Sequence, residues 1–198
     1  MVSVYLLLTR PETSRPYNLK MPSHPPQTAR AVVLTISDSR TRGERPDTSG
    51  PAVAASLRSA GFLVDGPHLI ADEQPQIEEA LRNYAAHAAL VVTTGGTGIA
   101  PRDVTPDATR AVCTRILDGF AERMRAAGAH RTPLAALSRA ISGTCGRALI
   151  VNLPGSPEGA VTSLEAVLDL IPHALLLLSG DDAHTEAAHS KAHGAPRR

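Results

Sequence analysis

The segment Thr93-Thr94-Gly95-Gly96-Thr97-Gly98-Ile99-Ala100-Pro101-Arg102-Asp103-Val104-Thr105-Pro106-Asp107 follows directly on the apolar run Ala89-Leu90-Val91-Val92. Three glycines after a buried strand let backbone N–H groups approach a ligand closely and take positive φ. An arginine and a carboxylate beside such a loop point to phosphate and metal chemistry. The loop is neither G-x-G-x-x-G nor a P-loop, since no Gly-Lys-Ser/Thr follows, which disfavours a dinucleotide site and an ordinary NTPase. A plain strand-to-helix turn needs only two glycines. The hydroxyls of Thr94, Thr97 and Thr105 exceed what such a turn requires.

Two more polar segments end apolar runs: Ser37-Asp38-Ser39 after Ala31–Ile36, and Asn152-Leu153-Pro154-Gly155-Ser156-Pro157 after Ala148–Val151. Each alone has a bland account. Ser and Asp after a strand cap turns, and Ser156 with Pro157 reads as a helix N-cap and N1. Together with the glycine loop they favour one crevice at the carboxyl ends of several strands. Two carboxylates stand out, Asp103 after the glycines and Asp72 in Ala71-Asp72-Glu73-Gln74. Asp103 also reads as a surface loop charge. By spacing alone, Asp72 reads better as the N-cap of the next helix. If both converge on the loop, they suit Mg²⁺ and phosphoryl or nucleotidyl transfer, because Mg²⁺ takes one or two carboxylates plus substrate phosphates.

The elements that must position these groups alternate along the chain. Strands are expected at 31–36, 62–70 (broken by Gly66 and Pro67), 89–92 and 148–151. Helices are expected at 51–60, stopped by Gly61, and through Ile77, Ala80, Leu81, Tyr84, Ala85 and Ala88. Others are expected from Thr105, capping with Pro106 at N1, over 118–127, and as one long helix over 157–179. This alternation predicts a three-layer α/β fold, a mostly parallel sheet with helices on both faces.

The 198 residues suit one domain at 31–181, with a flexible extension at 1–30 and a polar tail at 182–198. Deleting the extension is expected to change stability little, and Met21 is an alternative start. The tail histidines lack partners that would complete a metal site. The balance of 20 Lys and Arg against 19 Asp and Glu gives a net charge of +1, and aromatics make up 3%. Neither favours a nucleic-acid or acidic-membrane partner. The run Val4–Leu8 is too short for a membrane span. Two cysteines, Cys113 and Cys145, with no CxxC spacing, read as inert small hydrophobes and suit a reducing cytoplasm.

Several strings together carry a resemblance. They are Ile36-Ser37-Asp38-Ser39, Pro46-Asp47-Thr48-Ser49-Gly50-Pro51, Ile70-Ala71-Asp72-Glu73, and Thr94 to Gly98 with Pro101 to Pro106. Leu137-Ser138-Arg139, Asn152 to Pro157 and His173-Ala174 complete the set. On these the chain resembles the molybdopterin adenylyltransferase family, which includes the amino-terminal domain of gephyrin. The resemblance covers about residues 31–181. It implies a homotrimer that binds molybdopterin and, with ATP and Mg²⁺, makes adenylyl-molybdopterin and pyrophosphate. It also implies contact with the molybdenum-insertion enzyme. Asp72 and Asp103 match the family's catalytic, metal-holding acidic positions. Ser37, Asp38, Asp47, Ser49, Gly50, Gly95, Gly96, Thr97, Gly98, Thr105, Ser138, Asn152, Pro154, Gly155 and Ser156 match substrate- or nucleotide-binding segments. The alternative is a non-catalytic molybdopterin-binding or scaffold module. Retention of both acidic positions favours the enzyme.

Overall fold

The computed structural model describes residues 29–180, so the extension through residue 28 and the tail from 181, with its histidines, lie outside the described residues. Six strands form one sheet: β1 (Arg30–Ile36), β2 (Leu63–Ile70), β3 (Leu90–Thr94), β4 (Arg115–Ile116), β5 (Ser142–Cys145) and β6 (Ala148–Leu153). Their order is β2-β1-β3-β6-β5-β4. The first four in that order are parallel, and β5 and β4 extend the sheet antiparallel. The sheet starts earlier than expected, because Arg30 opens β1 and Ala29 is buried.

The inner parallel strands β1, β3 and β6 are largely apolar because both their faces are covered, whereas the edge strand β2 is mixed and partly exposed. Side chains alternate across a strand. Ala31 and Val33 of β1 pack into one core with Val92, Val151 and Leu153. Val32, Leu34 and Ile36 pack into the other with Val91 and Ile150. The first core is roofed by α2 (Ser49–Ser59), α5 (Asp118–Ala129), α6 (Pro157–Val167) and α7 (Ile171–Ser179). The second is roofed by α3 (Gln74–Ala85) and α4 (Thr105–Val112). A one-turn α1 spans Asp38–Thr41.

Three expectations change. The helix expected over 157–179 is two helices bent by 61°. Pro172 stands in the first turn of α7 and has no N–H for the carbonyl of Leu168, so α6 cannot run on. Strand β2 is continuous through Gly66 and Pro67, where a bulge places Asp65 opposite Val32 and His68 opposite Leu34. The two short antiparallel strands lack a readable pattern, since Ser142-Gly143-Thr144-Cys145 neither alternates nor forms an apolar run. No single described helix is long and apolar enough to cross a membrane.

Asn152 ties these layers together. It is fully buried, and its Nδ2 donates to Thr93 Oγ1 at 3.0 Å and Thr109 Oγ1 at 2.9 Å. Its Oδ1 accepts from the Ile141 N–H at 3.4 Å. Its side-chain polar atoms are thus satisfied inside the core, where they join three elements. Asn152→Ala would strand two hydroxyls and a backbone N–H, with an expected loss of about 2–3 kcal/mol in equilibrium denaturant unfolding.

Candidate active site

The loops after β1 and β3 part company. From β1 the chain leaves through α2 toward β2, while from β3 it leaves through α4 toward the other edge. This divergence opens a crevice at the carboxyl ends of the strands, where ligands bind in such sheets. The glycine loop sits there. Its first glycine, Gly95, has φ +102°, and a Cβ on it would strike the carbonyl oxygen of Ile36. The Gly95 N–H donates to the Leu153 carbonyl at 3.1 Å, and Thr94 Oγ1 donates to the Pro154 carbonyl at 2.6 Å. The loops after β3 and β6 are therefore stitched to each other.

Gly96 has φ +60°, and a Cβ there would strike Thr105 Oγ1 and stand 3.1 Å from Asp72 Oδ1. The side-chain direction thus faces protein. The sequence implies that Gly96→Val weakens ligand binding more than folding; with this packing, the two losses are coupled. Beyond it, among the described residues, the N–H groups of Gly96, Thr97 and Gly98 make no hydrogen bond. Successive unpaired amides in a glycine turn form an anion-binding concavity.

Thr105 does not cap α4, contrary to expectation. It is the first helical residue, after Val104, and its Oγ1 donates to the Gly95 carbonyl at 2.9 Å. It is fully buried and braces the loop from behind. Asp72 does not cap α3 either. Glu73 holds that position with no side-chain cap, and Asp72 Oδ2 instead accepts the Asp38 N–H at 2.7 Å. In return the Asp72 N–H donates to Asp38 Oδ1 at 3.0 Å. Arg102 Nη2 donates to Asp38 Oδ2 at 2.6 Å and to Glu73 Oε1 at 2.9 Å. Asp103 Oδ2 accepts the Ala100 N–H at 2.8 Å and lies over Gly98.

Burial pushes the Asp72 carboxyl above the usual carboxylate range. The Asp38 N–H and the Arg102 charge oppose this, while the charges on Asp38 and Asp103 add to it. The Arg102 hydrogen bond holds the Asp38 carboxyl below that range. Among the described residues, no Lys or Arg forms a salt bridge with Asp72 or Asp103. No cluster of three His, Cys, Asp or Glu gathers there to hold a metal unaided. Two carboxylates without a salt-bridge partner, beside unpaired amides, form an oxygen donor set that fits Mg²⁺ shared with substrate phosphates.

A cavity of roughly 870 Å³ opens from this crevice. Its walls include Gly96, Thr97, Gly98, Asp103, Ser138, Pro154, Gly155 and Ser156 from the sequence reading. The rest of the wall comes from α5 with Met124 and Arg125, from Arg131 just beyond it, from the 3-10 turn Pro133–Leu137 with Leu134, and from the first turns of α6 with Glu158 and Thr162. These residues carry no sequence signal, because an arginine or methionine on an amphipathic helix looks like any other. Arg125 Nη1 donates to the carbonyls of Ser138 at 3.5 Å and Ala140 at 3.2 Å, which fixes the segment that presents Ser138.

Other residues serve the structure of the loops. Asp47 accepts from Thr35 Oγ1 at 2.7 Å, the Gly50 N–H at 3.1 Å and Ser49 Oγ at 3.4 Å, closing the start of α2. Ser49 and Gly50 are buried there, and a Cβ on Gly50 would collide with Thr35 and Asp47. Ser37 caps α1, accepting from the Arg40 N–H at 3.4 Å. Ser37, Asp38, Asp47, Ser49, Gly50, Asp72, Gly95, Thr105 and Asn152 stand outside the cavity wall. Ser156 precedes α6 without a side-chain cap bond. Arg40, which the sequence does not single out, donates through Nη2 to the Gly155 carbonyl at 3.4 Å and joins α1 to that loop. Both cysteines are free, and burial pushes the Cys113 thiol up to about 11, consistent with an inert thiol there.

Residues 32–173 match the family model described as "Probable molybdopterin binding domain". Over 161 residues the chain is 40% identical to the molybdopterin adenylyltransferase of Helicobacter pylori J99, covering 78% of this chain and 90% of that one. It is 39% identical over 175 residues to the molybdopterin adenylyltransferase of Escherichia coli K12, covering 80% and 89%. Among solved structures, the molybdopterin biosynthesis enzyme MoaB of Thermus thermophilus aligns with a TM-score of 0.73 at 50% identity, covering 77% of this chain and 98% of that one.

Proposed function

This chain belongs to the family of molybdopterin-binding domains, and from that premise we propose that it is a molybdopterin adenylyltransferase. It transfers AMP from ATP to molybdopterin, giving adenylyl-molybdopterin and pyrophosphate in molybdenum cofactor biosynthesis. The observation that carries this reading is the glycine loop with a carboxylate at each end: Asp72 beside Gly96, Asp103 over Gly98, and the unpaired N–H groups of Gly96, Thr97 and Gly98 between them, with Asp103 and the loop lining the cavity.

An oxygen of the terminal phosphate of molybdopterin attacks the α-phosphorus of ATP. The bond from that phosphorus to the bridging oxygen breaks, and its electrons leave with pyrophosphate. The loop amides hold phosphate oxygens, and their dipoles are fixed before reaction, so little reorganisation is needed as charge shifts. The cavity holds both substrates in line, converting a bimolecular encounter into a positioned one. When bound on Asp72 and Asp103, Mg²⁺ supplies positive charge against the phosphates. No covalent enzyme intermediate is needed, in keeping with the inert Cys113 thiol.

We further read the active protein as a cytoplasmic homotrimer that delivers its product to the molybdenum-insertion enzyme. The resemblance in sequence supports this part of the reading, and sedimentation of the full chain tests the trimer. The catalytic reading is tested by incubating the protein with molybdopterin, ATP and Mg²⁺. Pyrophosphate release that needs all three components is expected, with adenylyl-molybdopterin seen by mass. Binding of molybdopterin without pyrophosphate release above a protein-free control would leave a binding or scaffold module.

A further inference from the structure

Asp38 and Asp72 lie 34 positions apart, at the ends of neighbouring strands β1 and β2, yet each donates its N–H to the other's carboxylate. The exchange leaves the two aspartates in different states. Asp72 has one oxygen, Oδ2, tied to Asp38, while Oδ1 faces Gly96. Asp38 has both oxygens engaged within the protein, Oδ1 by the Asp72 N–H and Oδ2 by Arg102. Arg102 reaches on to Glu73, so one guanidinium spans the glycine loop, the end of β1 and the residue after Asp72. The Arg102 side chain is 56% exposed, and exposed ion pairs add little to stability. Its contribution here is orientation.

We propose that Asp38, braced by Arg102, is a positioning residue that clamps the Asp72 segment so that the Asp72 carboxylate faces the glycine loop. This assigns Asp38 a different role from the substrate contact implied by resemblance. It rests on the adenylyltransferase reading only for its kinetic consequence, because the clamp itself belongs to the ligand-free protein.

The test compares Asp38→Ala, Asp38→Asn, Asp72→Ala and the double alanine variant. Removal of an outer partner of a ligating carboxylate commonly costs tenfold or more, so Asp38→Ala is expected to lower kcat about tenfold. KM for ATP is expected to stay within about twofold, because uniform substrate binding is untouched. Asn keeps an oxygen that accepts the Asp72 N–H, so Asp38→Asn recovers most of the lost kcat. In the Asp72→Ala background, Asp38→Ala is expected to add less than about twofold, since coupled residues are not additive. A full independent loss in that background would show that Asp38 contacts substrate itself and would overturn the proposal.

Two readouts need no turnover. Mn²⁺ titrated alone and followed by paramagnetic resonance should bind Asp38→Ala about tenfold more weakly than wild type. Amide hydrogen exchange at Asp72 should quicken in Asp38→Ala and not in Asp38→Asn. If wild type releases no pyrophosphate, the catalytic reading falls, while exchange at Asp72 still decides the clamp. Unchanged exchange at Asp72 in Asp38→Ala overturns it.

Discussion

Asp72→Asn and Asp103→Asn are each expected to cut adenylyl transfer by about a hundredfold or more, while the fold stays intact. Both positions keep their backbone partners after the change. The amide oxygen introduced by Asp72→Asn can still accept the Asp38 N–H, and the one introduced by Asp103→Asn can still accept the Ala100 N–H. What is removed is negative charge beside the unpaired loop amides. Asp72→Asn carries a second signature. Burial raises the folded pKa of Asp72 above its unfolded value. The folded protein therefore keeps that proton longer, and stability falls as pH rises between the two values. Above the folded value the cost of the ionised carboxyl is fully present. At neutral pH the ligand-free Asp72→Asn variant escapes that cost and should melt no lower than wild type. Turnover and melting temperature measured side by side check this. Near-wild-type turnover in both variants would remove the metal-holding assignment.

Gly95→Ala is expected to cost about 3–5 kcal/mol of stability, the largest loss from any single methyl in the loop. Two effects combine. A φ of +102° is strained for a residue with a side chain, and the new Cβ meets the Ile36 carbonyl oxygen, which is backbone and cannot rotate away. Gly155→Ala makes a useful control, because a Cβ there meets its nearest atom, the Gly95 Cα, at 3.3 Å without a positive φ. Equilibrium unfolding should separate the two variants by several kcal/mol if positive φ and backbone collision are the causes. Equal losses would mean the loop relaxes, and its conformation is less constrained than the packing implies.

The central strands are legible because burial on both faces writes itself as an unbroken apolar run, as in Ala31 to Leu34. The glycine loop is legible because local chemistry at a strand end is local in sequence too. What escapes is set by distance along the chain. Asp72 reads as a helix cap because its neighbours allow one, while its actual partner, Asp38, lies 34 residues away. Asn152 reads as a ligand contact because it ends a strand beside a loop. Only the positions of Thr93 and Thr109 reveal that its amide is consumed in the core. The cavity wall on α5 escapes because a helix's sequence shows which face is apolar and not what that face encloses. The break before α7 is readable in principle, since Pro172 forbids the hydrogen bond that one long helix requires.

The bulge in β2 has a bearing on how copies of this protein meet one another. Strand β2 is one rim of the sheet, and an exposed rim is a template for strands from other molecules. Pro67 lacks the N–H that such pairing uses, and the bulge at Gly66 and Pro67 breaks the straight row of groups on either side. At the opposite rim, β4 is two residues long. Both rims are thereby poor templates for continuing the sheet, which guards against rim-to-rim polymerisation.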